Sequence, residues 1–97
     1  MLFALICTDK PASLDLRLAT RPQHLAYIET YQDRIVQAGG LLDADGRACG
    51  SLLIIDVEDH AAAAGFAESD PYARAGLFES VIIRPYRQVF AGGERVA

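Results

Sequence analysis

Apolar positions in this chain fall into runs of two kinds. Met1 to Thr8 is almost continuously apolar and rich in Phe, Leu and Ile, so it reads as a buried strand, which Asp9-Lys10-Pro11 ends. From Ala12 to Ala38 the spacing turns helical. Ser13 is a candidate N-cap with Leu14, Leu16 and Leu18 behind it, and the main periodic stretch runs from Pro22 to Ala38. Pro22 suits the first turn of a helix, which divides the segment into a short lead-in helix and a long one. Gly39-Gly40 supplies a left-handed stop. At about 100° per residue, His24, Ile28, Tyr31 and Ile35 share one side, with Arg21 and Leu25 close by.

Beyond the glycines the pattern shortens. Leu41 to Ala44 reads as a short strand, Asp43-Ala44-Asp45-Gly46 as a turn and Cys49 to Val57 as a stronger strand, so residues 41–57 form a hairpin. Asp56 to Asp59 offers acidic capping for a second helix, with Ala62, Ala63, Phe66 and Ala67 on its apolar side. Asp70-Pro71 interrupts that helix and opens one more turn through Arg74, which Gly76 closes. Leu77 to Phe90 reads as a long strand. The order is βαββαβ. It predicts a ferredoxin-like α+β fold: a four-stranded antiparallel sheet with both helices on one face, in one domain over residues 1–90, followed by a flexible tail, 91–97.

A sheet with one wet face alternates apolar and polar residues. These strands do not. Phe3, Leu5 and Cys7 oppose Leu2, Ala4 and Ile6; Leu53, Ile55 and Val57 oppose Leu52 and Ile54; Phe78, Ile82 and Tyr86 oppose Val81 and Ile83. Two helices cover one face only, and a second copy is the simplest cover for the other, which predicts a homodimer through the sheet. Composition points the same way. Apolar residues make up 52% of 97 residues, more than a small domain readily hides. Assembly beyond a dimer is left open.

The net charge of −4 and the lack of a Lys/Arg cluster argue against nucleic acid and anionic membranes as partners. No apolar run is long enough to span a bilayer, and no basic segment precedes the first strand, so a cytoplasmic protein is expected. Cys7 and Cys49 both sit in or at the edge of apolar runs, without metal or redox spacing, and read as reduced, structural thiols.

Among groups able to do chemistry, His24 stands on an apolar helix face. It is either a neutral core imidazole or a general acid/base. Asp70 before Pro71 is an N-cap, and its carboxylate has lone pairs to spare for a histidine. In this topology the start of the first helix and the end of the second can approach one another. Arg21, one turn from His24, is a candidate for an anionic ligand group or for a surface ion pair. Tyr27, Tyr31 and Tyr72 can pack or supply a hydroxyl. Ser51 follows Gly50 without a nucleophile-elbow motif. His60 beside Asp59 reads as exposed. Two separated histidines and no cysteine cluster leave no metal site, and no phosphate loop is present.

These stretches together resemble the YCII-related (YciI-like) family of the dimeric α+β barrel superfamily. The resemblance rests on the first strand with Asp9-Lys10, on Arg21-Pro22-Gln23-His24-Leu25, on Gly50-Ser51, and on Asp70-Pro71-Tyr72 with Ala75-Gly76-Leu77-Phe78-Glu79 and Arg84-Pro85-Tyr86-Arg87-Gln88-Val89-Phe90. It implies a protomer that dimerises through its sheet and a His–Asp active site, mapping onto His24 and Asp70. Arg21, Ser51 and Tyr72 are then the expected substrate-binding residues. A related member dehalogenates a chlorinated muconolactone and similarly folded relatives isomerise muconolactone, which are proton-transfer reactions needing no metal or nucleotide. The expectation is a cofactor-independent isomerase-, lyase- or dehalogenase-like enzyme acting on a small anionic lactone or carboxylate. The alternatives are a non-catalytic small-ligand binding or sensing homodimer, and a His24–Asp70 pair that is purely structural.

Overall fold

The apolar run that opens the chain becomes an inner strand. In the computed structural model, which describes residues 1–97, β1 (Leu2–Asp9) pairs antiparallel with β3 (Ala48–Asp56) on one side and β4 (Phe78–Pro85) on the other. β2 (Ile35–Leu42) pairs with β3 at the far edge, giving the order β2-β3-β1-β4. Helices α1 (Leu14–Glu29), α2 (His60–Ser69) and the single turn α3 (Pro71–Arg74) complete the domain. The expected βαββαβ ferredoxin-like protomer is the observed one. No helix is long and apolar enough to cross a membrane.

Phe3, Leu5, Cys7, Leu53, Ile55 and Val57 from the inner strands meet Ala63, Phe66 and Ala67 of α2 in one core, with Tyr27, Ile28 and Tyr31 packed against it. The small side chains of α2 let that helix lie close to the sheet. Its N-cap Asp59 accepts from the backbone N–H of Ala62 at 2.8 Å, as the acidic lead-in predicts. The other sheet face carries Ala4 opposite Ile54, and Ile6 between Leu52 and Ile82. Both faces are apolar, as read.

Several boundaries differ from the expected ones. The first helix ends at Glu29 rather than Ala38. A 3₁₀ turn, Gln32–Arg34, leads into β2, and Gly39-Gly40 lies inside that strand instead of stopping a helix. Ile28, Tyr31, Ile35 and Ala38 fit a helical period, but Ile35 and Val36 are β-branched and the exposed edge of β3 needs a partner, so strand pairing wins. Tyr31 and Ile35 therefore leave the helix that carries His24. Pro22 does not divide α1; it lies in its interior. It and Leu18, whose carbonyl it cannot bond, are both exposed, and anchors at Arg17 and Tyr27 hold the helix on either side.

Strand β4 stops at Pro85, not Phe90, because its partner β1 begins at Leu2, whose carbonyl accepts the last cross-strand bond from the Tyr86 N–H. A register shift between Thr8 and Asp9 leaves Glu79 as an extra residue. It turns Phe78 to the core face with Ile83, away from Ile82. Residues 91–97 are not featureless: β5 (Phe90–Ala91) and β6 (Glu94–Arg95) form a minimal hairpin. Cys7 is buried as expected, whereas Cys49, among the first, turn-side residues of β3, is exposed.

Candidate functional site

The short interruption after α2 sets the site. Asp70 ends α2 and caps α3, accepting from the backbone N–H of Tyr72 through Oδ1 at 2.9 Å, with Pro71 in the first helical position. The α2–α3 corner is tied to α1 by the Tyr27 hydroxyl, which donates to the Phe66 carbonyl at 2.8 Å, and by stacking of the Tyr27 and Phe66 rings. One turn before Tyr27, His24 reaches the same corner. Its Nδ1 lies 2.8 Å from Asp70 Oδ1. The Asp70 side chain is 5% exposed and that of His24 12%.

An ionised carboxylate only accepts hydrogen bonds, so Nδ1 carries the proton toward Asp70, and Nε2 has the lone pair. Nε2 has no protein partner, yet it is not sealed among buried orphan atoms. His24 itself lines the neighbouring cleft. The imidazole stacks on Tyr72, ring centroids 4.0 Å apart and planes 16° apart, which fixes its plane as Asp70 fixes its tautomer.

The cleft, about 340 Å³, lies between α1 and the β2–β3 side of the sheet. Leu18, Leu25, Ile28 and Leu53 make it largely apolar, and the backbone of Gly39-Gly40 forms its far wall. Arg21, Ser51 and Tyr72, the expected binding residues, all line it with His24. Asp70 stands behind the histidine. Arg21 is exposed and makes no ion pair.

Two residues not singled out for chemistry complete the site. Arg17 is 5% exposed, and its Nε donates to Asp9 Oδ2 at 3.0 Å. Its Nη2 donates to Ser51 Oγ at 2.6 Å and to the Gly50 carbonyl. Its guanidinium lies 4.6 Å from the centroid of the Tyr72 ring, a cation–π contact. Gly50 itself has no room for a side chain, because a Cβ there would overlap the Cys7 carbonyl oxygen. The signal was in the spacing: Leu14, Arg17, Arg21, His24 and Ile28 recur at three and four residues, one continuous face of α1.

Burial sets the titration of this network. It pushes the Asp9 carboxyl up, and the adjacent Arg17 charge pulls it partly back. Asp9 Oδ1 has no hydrogen-bond partner. Burial likewise raises the Tyr72 phenol, against the opposing charges of Arg17 and Arg21, so its hydroxyl stays a donor at neutral pH. Cys7, raised to about 12 by burial and then by the charges of Asp70 and Asp9, is a thiol rather than a nucleophile.

A ferredoxin-like α+β domain that holds a His–Asp pair over a polar-floored cleft defines the class of protein. The chain matches the model of the YCII-related domain over residues 1–87 and belongs to the YCII-related family. It is 38% identical over 98 positions to Protein YciI of Escherichia coli O6:H1, covering 93% of this chain and 100% of that one. An uncharacterized protein of Haemophilus influenzae is 35% identical with the same coverage. Among solved structures, 5-chloro-2-hydroxyhydroquinone dehydrochlorinase (TftG) from Burkholderia phenoliruptrix AC1100, in complex with 2,5-dihydroxybenzoquinone, superposes with a TM-score of 0.86 at 35% identity, over 90% of this chain and 94% of that one. An antibiotic biosynthesis monooxygenase, at 13% identity and a TM-score of 0.52 over 91% of this chain and 100% of that one, shares the fold alone.

Proposed function

We propose that this protein is a small-molecule enzyme in which His24 moves a proton to and from a bound substrate and Asp70 orients and charges the imidazole. The observation that carries the reading is the Nδ1–Asp70 bond in a histidine that lines the cleft and whose Nε2 has no protein partner. Neutral histidine held in that tautomer is a base on the cleft side and, once protonated, an acid there. Proton transfer of this kind needs no cofactor. The similarity to a dehydrochlorinase favours elimination: His24 moves a hydroxyl proton to the chlorine-bearing ring carbon, a second hydroxyl proton then leaves to His24, the carbon–chlorine bond breaks and chloride departs with its electron pair, leaving a quinone. The substrate class is a small, acidic, oxygenated ring that fits the cleft, with Ser51, Tyr72 and an arginine as polar contacts.

A second copy on the uncovered sheet face belongs to the same proposal. Its support is the apolar patch of Ile6, Leu52 and Ile82.

The test is chloride release from 5-chloro-2-hydroxyhydroquinone by the unmodified chain and by His24→Gln. Release that falls roughly 10²–10⁴-fold in the variant, with an unchanged circular dichroism spectrum, supports the reading. Release no faster than the uncatalysed rate from the unmodified protein, with the compound bound and recovered intact, replaces it with a binding module.

A further inference from the structure

Arginine carries five N–H groups, and those of Arg17 can be accounted for one by one. Nε–H goes to Asp9, and the two protons of Nη2 go to Gly50 and Ser51. Nη1 has no protein acceptor. It is also absent from the sealed, unpartnered buried atoms, of which Asp9 Oδ1 is the one present. Arg17 lines the same cleft as His24 and Tyr72. A guanidinium 95% removed from solvent and fixed at three points thus keeps two unused donors, in a residue that lines the cleft.

We propose that Arg17 Nη1 recognises the anionic oxygen of the substrate, and that Asp9 is the positioning residue that holds it there. This deepens the enzyme reading by assigning the anion contact to Arg17 rather than to Arg21. A donor pair already immobilised loses little rotamer freedom on binding, whereas exposed Arg21 must be ordered first. The geometry also couples the two halves of the site. The Tyr72 ring touches both the Arg17 guanidinium and the His24 imidazole. An oxygen gripped at Nη1 is therefore attached to a molecule lying beside His24. The matching ligand is a planar ring bearing an ionised enol, phenol or carboxylate oxygen.

The experiment is a binding titration with 2,5-dihydroxybenzoquinone, an acidic enol, against hydroquinone, uncharged at pH 7. The proteins are the unmodified chain, Arg17→Lys and Arg21→Ala. Lysine keeps the charge, but its three donors are consumed by Asp9, Gly50 and Ser51. The expected result is that Arg17→Lys weakens the enol about tenfold or more while hydroquinone changes less than about threefold, and that Arg21→Ala changes either less than about threefold. Equal losses on both probes, loss confined to Arg21→Ala, or no enol binding by the unmodified protein overturns it. If Arg17→Lys does not fold, a crystal structure of the unmodified chain with 2,5-dihydroxybenzoquinone decides: an oxygen hydrogen-bonded to Nη1 supports the assignment, and an oxygen on Arg21 alone overturns it. Turnover is not read in this test, so loss of the proton-transfer reading leaves it standing, and its failure leaves His24 and Asp70 untouched.

Discussion

Asp70 Oδ1 stands 2.8 Å from His24 Nδ1 and 2.9 Å from the backbone nitrogen of Tyr72, so one oxygen serves both as helix cap and as histidine partner. The two roles can be separated. Asparagine caps a helix about as well as aspartate, so Asp70→Asn should cost within about 1 kcal/mol of stability in urea denaturation. It removes the negative charge that stabilises a protonated imidazole, while the amide oxygen that caps can still accept from Nδ1. If the pair is catalytic, turnover should fall roughly 10²–10⁴-fold, as when a histidine loses its orienting carboxylate. An Asn variant with full turnover would reduce Asp70 to a cap.

The Arg17–Asp9 pair is buried on both sides, with side chains 6% and 5% exposed. Removing one partner leaves the other charge uncompensated. Asp9→Ala should therefore destabilise by about 3–5 kcal/mol, and Asp9→Ala with Arg17→Met should recover part of the loss. A double-mutant cycle by urea denaturation checks both. The pH dependence has a definite sign. Burial raises the Asp9 carboxyl, so the folded chain holds that proton more tightly than the unfolded one. Its contribution is full below the ordinary value of 3.8 and is lost as pH rises through the elevated folded value. The stability difference between wild type and Asp9→Asn should shift in that direction across the acid range, and a pH-independent difference would contradict the shift.

Much of this site was legible because its parts follow local rules. Asp before Pro announces a cap, and His24 at helical spacing from apolar neighbours announces an inward-facing ring. Both faces of β1 and β3 read apolar because every second residue was apolar in either register. Arg17 and Asp9 were not legible as partners. Their pairing depends on how the end of β1 meets the first turns of α1, which no local pattern encodes, and arginine on a helix ordinarily reads as solvated. The segment 30–38 was misread because its apolar spacing satisfies two periods at once; the demand of β3 for a neighbour decides between them. The extra residue at Glu79 was invisible for a similar reason, since a bulge is a property of two strands together.

The two thiols should separate cleanly. Cys49 is exposed, while Cys7 is buried and raised to about 12. A thiol-specific reagent at pH 8 should label one cysteine per native chain and two in urea, with Cys49→Ser abolishing the native reaction. The Cys7 contribution to stability is present below its ordinary value of 9.0 and is lost as pH rises from there toward about 12. Alkaline destabilisation should be shallower in Cys7→Ala than in wild type. Two labelled cysteines in the native state would mean that β1 opens to solvent.

Ile82 offers a test of the uncovered sheet face. It sits opposite Ile6 on the side away from the helices, and it is 47% exposed in the single chain. Substitution there spares the protomer core but opposes any apolar partner. If a second copy covers this face, sedimentation equilibrium at micromolar concentration should give a dimer for wild type and a monomer for Ile82→Asp. A stable interface of this kind buries about 1,200–2,000 Å² in total, and a charge at its centre, desolvated without a partner, is enough to abolish it. The far-ultraviolet circular dichroism of the variant should match wild type, because Ile82 contacts no helix-side core residue. A wild-type monomer at that concentration would remove the dimer from the proposal. It would also leave an apolar sheet face on a chain that is 52% hydrophobic, which predicts poor solubility that Ile82→Asp should relieve.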